Sequence, residues 1–483
     1  MKNFVPFHRS YGELCGSRLF GEKRISDRYD QLFGRMCSHP SVIPHQLSHN
    51  YAEEAAFYRL LANERFRFED IIRAGGLSTL DSSLDRSVVV VGDSTELNLE
   101  SRADHYSDED CGYLSSNSCR GLHVHVNFAL DAERGWVLGL CDLLTWNRPK
   151  AQKKKGTRQR EAIPVTERES HKWLLGVEGS AEVLAQAREV TYVFDRDADT
   201  LRLFQHIESK GHHFVIRTKS DRRLAKLPKG QVGPKKVSDA LAQSSHRGTH
   251  TLFVRGDHAR KNAFGHLRKA RKQREAELEI CYTRIELPKG NGSYYVVDAL
   301  EKPSSVPKGE VPIHWRLITN HELNSLGDAL QMLAYYERRW IIEELFRTIK
   351  SKGFQVETVQ LRKVSSVRKM VALAVSAGIH ILQLNLAKAQ SEPIPIETGF
   401  RPQEVLCLKF LSQQLEGKTQ KLKNPYPPNS LLFAHWVMAR LGGWKGYQSK
   451  RPAGPITICR GTLKFYNLFQ MFELRNQIDV WEP

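Results

Sequence analysis

QMLAYYERRWIIEELFRTIKSKGFQVE, residues 331–357, is the stretch whose reading decides the rest. Wound as an α-helix at about 100° per residue, it brings Tyr336, Arg339, Glu343 and Lys350 onto one polar stripe. Ile341, Ile342, Leu345, Phe346 and Ile349 fall on the other side, the pattern of a helix whose back is buried. The stripe sets a single carboxylate among groups suited to phosphate. Arg339 can grip one bidentately, Lys350 can act as a point charge and Tyr336 can donate a hydrogen bond. The plainer alternative is a solvated charged face with an intrahelical pair between Glu343 and Arg347 at i,i+4.

Working outward, more carboxylates follow strand-like runs. In RSVVVVGDSTELNL (86–99) consecutive valines give a buried-strand signal, and Asp93 stands just past them. VTYVFDRDADTLRLF (190–204) reads as a strand to 194, Asp195 at its end, and a helix soon after. Asp197 and Asp199 read as charges at that helix's amino terminus. An Asp at a strand exit is often only a turn former. Between the two acids, runs 123–130 and 136–146 joined by DAERG read as antiparallel neighbours, a lysine cluster at 153–155 as a solvated loop, and 170–188 as a helix. HHFVIRTKS (212–220) reads as a strand carrying Arg217 and Lys219.

Three motifs thus occur in order: Asp-Ser-Thr at 93–95, Asp-Arg-x-Ala-Asp at 195–199, and Tyr-x2-Arg-x3-Glu-x6-Lys at 336–350. Together they resemble the acidic motifs of the cut-and-paste DDE transposases of bacterial insertion sequences, the IS-four family. The resemblance extends over nearly the whole chain. It implies an α/β fold, a ribonuclease-H-like mixed sheet with flanking helices and a β-rich insertion, plus helical amino- and carboxyl-terminal domains. By the same resemblance residues 1–72 are a transposon-end DNA-binding domain, 73–390 the catalytic domain with its insertion at about 220–312, and 391–483 a dimerisation domain containing ARLGG at 439–443.

The resemblance also implies roles. Asp93, Asp195 and Glu343 become the catalytic acids and the ligands of two Mg²⁺ ions per site, with Mn²⁺ able to substitute. Hard oxygen donors suit Mg²⁺, and a metal pair can assist both the attacking and the departing oxygen of an in-line displacement. Tyr336, Arg339, Lys350 and Arg217 become DNA contacts, and Trp315 the residue that stacks on a base swung out of the duplex. Arg24, Arg28 and Arg59 become contacts to the element's terminal sequence. The implied reaction is end nicking, hairpin formation and opening, and strand transfer into target DNA, carried out by a homodimer in a synaptic complex. Two other readings stay open: a catalytically silent, transposase-derived DNA-binding regulator, and a metal-dependent nuclease without joining activity. The full set of acids argues against the first, and a joining assay decides the second.

Composition agrees with a polyanionic partner. The formal charge is +18 and the pI about 9.5, and Lys and Arg gain affinity by releasing counterions from DNA. Positions 222–274 hold fifteen Lys and Arg against two acids and read as a disordered or DNA-facing basic loop between strands. Eight cysteines without CxxC spacing read as reduced, mostly buried thiols of a cytoplasmic protein, and the resemblance places it at the nucleoid. Cys111, Cys119, His105, His123 and His125 make only a weak case for a metal site. No secretory signal is expected at the amino terminus. The apolar run 370–387 is interrupted by Ser376, His380, Gln383 and Asn385 and reads as a buried helix, not a membrane span.

Overall fold

The computed structural model describes residues 20–150, 168–226, 231–254, 256, 260–261, 267–268, 272–290, 292–350, 353–390, 392–447 and 452–478. The lysine cluster at 153–155 and part of the basic run 222–274 lie outside them. Helices α1 (Lys23–Ser38), α2 (Pro44–Leu47), α3 (Tyr51–Ala62) and α4 (Phe68–Ser83) precede strands β1 (Ser87–Asn98), β2 (Gly112–Tyr113), β3 (Arg120–Asp131) and β4 (Val137–Trp146). Then come α5 (His171–Val183), β5 (Glu189–Phe194), α6 (Leu201–Ser209), β6 (His213–Arg217) and α7 (Val237–Gln243). Strands β7 (Arg247–Val254), β8 (Arg260–Lys261), β9 (Leu267–Arg268), β10 (Arg274–Glu286), β11 (Ser293–Glu301) and β12 (His314–Thr319) lead to α8 (Leu326–Arg338) and α9 (Trp340–Lys350). Helices α10 (Val364–Leu386), α11 (Pro402–Leu415), α12 (Leu431–Leu441) and α13 (Pro455–Ile478) follow.

Val88 to Val91 are buried, as expected of a strand covered on both faces. β1 pairs antiparallel with β3, which pairs antiparallel with β4, while β5 runs parallel to β1 and β6 parallel to β5. Three antiparallel strands followed by two parallel ones, with flanking helices, form a ribonuclease-H-like mixed sheet. The β-rich insertion does not make a sheet of its own. β12 pairs antiparallel with β6, and β11, β10 and β7 continue outward, giving one ten-stranded sheet. β8 and β9 pair separately as a two-stranded ribbon.

Several basic residues expected to face DNA are instead structural. Arg222 donates to Asp199, whose side chain is 2% exposed, and Arg274 pairs with the buried Glu301. A carboxylate taken out of water needs a fixed partner, and that requirement claims these guanidinium groups. Asp199 still stands at the amino end of α6, immediately before its Thr200 cap, and gains the Arg222 pairing there.

The apolar run forms α10, which packs on α1, α4, α9, α13 and β4. It is long and apolar enough to cross a membrane, yet 89% of its apolar window is buried inside the chain. Its polar groups have local work: Gln383 donates to the Val137 carbonyl at 3.0 Å, and the Lys369 ammonium donates to the carbonyls of Leu61 at 3.0 Å and Asn63 at 2.7 Å. A lysine on the last carbonyls of α3 both caps that helix and complements its dipole, joining the amino-terminal helices to the core. Helix α4 runs across position 72 and packs on β4.

Candidate active site

The site grows from a mismatch in strand length. β5 pairs with β1 only as far as Val91↔Val193, whereas β1 stays paired to β3 through Asn98↔Gly121. Asp93 therefore lies inside β1 and not past the strand's exit, a correction caused by β3 carrying the ladder onward after β5 has ended. Extending the β1–β5 register by two residues brings Asp93 level with Asp195, the residue after β5. Gly92 allows the approach: a Cβ there would lie 2.1 Å from Asn127 Oδ1 and 2.6 Å from the Phe194 ring. Asp195 caps a short 3-10 turn, its Oδ1 accepting from the Asp197 backbone N–H at 2.9 Å.

Glu343 comes from the first turn of α9, whose apolar side (Ile342, Leu345, Ile349) is buried and which packs on α10 and β1. Arg339 joins the acids. Its Nη1 donates to Asp93 Oδ2 at 3.0 Å and its Nη2 to Glu343 Oε1 at 3.3 Å. The alternative pairing of Glu343 with Arg347 does not form; Arg347 pairs with Glu344 at 3.1 Å. Asp93 also accepts from the Ser94 backbone N–H at 2.7 Å. Burial, then the charge of Asp195 and more weakly that of Glu343, push the Asp93 carboxyl up to about 6, against the pull of Ser94 and Arg339. Burial opposes the charge on Arg339, but Tyr336, Asp93, Glu343 and Asp195 outweigh it and raise its pKa. The three acids thus lie near enough to act on one another's charge, although their oxygens do not all come within 4.8 Å of one another as arranged here; an all-oxygen donor set of like charge is the kind that suits a divalent cation.

The remaining stripe residues are placed differently from an unbroken helix. At Arg339 the backbone tightens, with Arg339 N–H bonding Tyr336 O and Ile342 N–H bonding Arg339 O, each at 3.1 Å. Such three-residue spacing advances each residue by more than an α-turn does. Tyr336 is 2% exposed and Trp315 8%, and their rings meet edge to face with centroids 5.2 Å apart. Tyr336 is therefore not on an open face, and the Trp315 indole is packed into the core. Lys350 donates to the Glu96 carbonyl at 2.5 Å and lies 3.5 Å from Glu357, tying the last turn of α9 to β1 and the segment after it. Arg217 donates to the His314 carbonyl at 2.8 Å. Arg24 and Arg59 are exposed and Arg28 half-buried, on α1 and α3.

Other neighbours of the acids carry no motif. The Ser94 hydroxyl lies 3.0 Å from His125 Nδ1. His125 is buried, and burial followed by the charge of Lys172 pushes it down to about 3, leaving a neutral ring. Asn127, two residues on and on the same face of β3, donates to the Ser180 hydroxyl at 3.2 Å. Gly176 lets α5 lie close here, since a Cβ would come within 2.7 Å of Asn127 Nδ2. The alternation His123-Val-His125-Val-Asn127 was the one signal for this polar row. Among the described residues the cysteines with His105, His123 and His125 form no metal cluster; the group that does converge is Glu189, His213 and His321, with ligand atoms within 4.8 Å of one another.

Residues 177–378 match the family model described as the transposase DDE domain. The match takes in Asp195, Trp315 and the whole stripe from Tyr336 to Lys350, and it supports a DDE transposase.

Proposed function

We propose that this chain is a Mg²⁺-dependent DDE transposase of the IS-four group, the group that includes the transposase of transposon Tn-five, and that it moves DNA by cutting and pasting. The observation that carries the reading is the shared neighbourhood of Asp93, Asp195 and Glu343 beside the carboxyl end of β5, where it pairs with the central strand β1 of a ribonuclease-H-like sheet, with Arg339 hydrogen-bonded to two of them. Those carboxylates would hold two divalent cations, Mg²⁺ or Mn²⁺, which when bound supply Lewis-acid stabilisation and an activated hydroxyl. Arg339 steadies Asp93 and Glu343 and keeps its Nε donor without a partner. Lys350 fixes α9 against β1, so that Glu343 is presented at a constant distance from Asp93.

The other assignments follow the same reading. Arg24, Arg28 and Arg59 on the amino-terminal helices contact the element's ends, and Arg217 contacts DNA beside the insertion. Trp315 receives a flipped base once Tyr336 moves off its ring. The carboxyl-terminal helices dimerise, a role supported by Leu406 and Phe410 on α11 and Met471 and Leu474 on α13, each more than half exposed. The sequence of steps is end nicking, hairpin formation and opening, and strand transfer, by a cytoplasmic protein at the nucleoid.

The test uses a supercoiled plasmid carrying the DNA that flanks the gene on both sides. The full chain with Mg²⁺ should nick at the flank boundaries and join the released ends to a second plasmid, and Glu343→Gln should bind the same DNA without cutting. Cutting by Glu343→Gln at the normal rate would remove Glu343 from the site. Cutting without joining would make the chain a nuclease, and binding without cutting a regulator.

A further inference from the structure

Lys172 is placed where fold stability alone does not explain it. It stands in the first turn of α5, where a cation works against the helix dipole. Among the described residues its ammonium makes no ion pair or hydrogen bond, and Glu169, the nearest acid along the chain, is paired with Arg148 at 2.9 Å. Its ammonium instead lies 5.3 Å from the ring centroid of Trp146 and 5.4 Å from that of Trp173, within cation–π range of both. Trp173 is buried, packed against His125 and Phe194, and Trp146 stacks on His123, so both rings are fixed.

That ammonium also lies within electrostatic reach of the acids. Burial lowers the pKa of Lys172, while the charges of Glu169, Asp93, Asp197 and Asp195 work in the opposite direction. Lys172 in turn acts on His125, the neighbour of Ser94. An ammonium held by ring faces keeps its N–H donors for another acceptor. Carboxylates of the site lie near enough to be felt but none takes the charge. The acceptor that meets an ammonium beside metal-binding acids is a phosphate oxygen.

We propose that Lys172, clamped between Trp146 and Trp173, is a binding site for a DNA backbone phosphate next to the carboxylates, approached from α5 while Arg339 approaches from the junction of α8 and α9. The inference rests on the reading that these acids act on DNA. It adds a contact that the acidic motifs do not contain.

The experiment pairs a protein change with a DNA change. Duplexes from the gene's flanks are made with one neutral methylphosphonate at a time, and binding of the full chain and of Lys172→Met is measured across a salt series. For the unaltered chain, one methylphosphonate position near the cut should weaken binding roughly ten- to hundredfold. Lys172→Met should be insensitive at that same position, its log–log salt slope should fall by about 0.9, and Lys172→Arg should restore both. A Lys172 that only supports the fold would lower the melting temperature and leave the slope and the methylphosphonate profile unchanged, which would overturn the proposal. Should Lys172→Met not melt cooperatively, Lys172→Gln serves in its place. Failure of the unaltered chain to cut with Mg²⁺ would count against the transposase reading, whereas the binding profile decides Lys172 separately.

Discussion

The parallel strands β5 and β6 carry an ionisable cluster at each end, and the two ends handle charge in opposite ways. At the amino ends, Glu189 opens β5, His213 opens β6, and His321 follows β12. The imidazoles of His213 and His321 stack with centroids 4.2 Å apart, and His321 Nε2 lies 2.9 Å from the Thr191 hydroxyl. Burial, helped by His213, pushes His321 down to about 3; desolvation is relieved by giving up the charge. At the carboxyl ends burial likewise disfavours charge on Asp93, but it raises the carboxyl only to about 6, so the group stays largely ionised at neutral pH; the charges of Asp195 and Glu343 act on it and one guanidinium bridges two of the three acids. A neutral His321 ring held by the Thr191 hydroxyl places no buried charge at the amino ends of these strands. A concentration of negative charge that the fold tolerates at a cost is what a cation-dependent reaction requires.

Substitution should separate the two ends first by activity. Asp195→Asn should lower Mg²⁺-dependent nicking of the flanking-DNA plasmid by roughly a thousandfold or more, while His213→Ala changes it by no more than a few-fold. Equal losses would erase the distinction. Arg339→Gln should come next, with a drop of roughly a hundredfold in nicking rate and little change in duplex affinity.

A smaller effect concerns stability. The Asp93 carboxyl is raised to about 6 from its ordinary 3.8. Between those values the folded chain holds more protons than the unfolded chain, so this group's contribution falls as pH rises through that window. In metal-free buffer Asp93→Asn should therefore stabilise the chain above about pH 6 by roughly 1–3 kcal/mol, with the gain vanishing below about pH 4. Chemical denaturation across that pH range reads it, and a pH-independent difference would mean that charge crowding is not the cause. The smallest shift expected is in thermal melting: Mg²⁺ should raise the melting temperature of the unaltered chain by about 2–4 °C and leave Asp195→Asn unmoved.

How much of this could be read from residues alone differs by region. The Val88 to Val91 run, the strand before Asp195 and the apolar back of α9 follow from periodicity and burial, and each forms as that pattern requires. The tightening at Arg339 leaves no mark in the periodicity, so Tyr336 reads as a surface donor although it is buried against Trp315. The continuation of β1 beyond Asp93 depends on β3, a partner that local sequence cannot reveal. Lys172 is invisible for a related reason: its meaning comes from Trp146 on another element and from acids far along the chain. Basic composition pointed to a polyanionic partner but could not say which guanidinium groups, such as Arg222 and Arg274, are taken up by buried carboxylates.

Backbone cleavage by bound iron tests the convergence of the acids most directly. With Fe²⁺ in place of Mg²⁺ and peroxide added, hydroxyl radicals cut the chain beside the metal. The account predicts cuts next to residues 93, 195 and 343 in the same molecules, suppressed by excess Mg²⁺ and absent in Asp195→Asn. Cuts confined to the neighbourhood of residues 189, 213 and 321, or untouched by Mg²⁺, would contradict it.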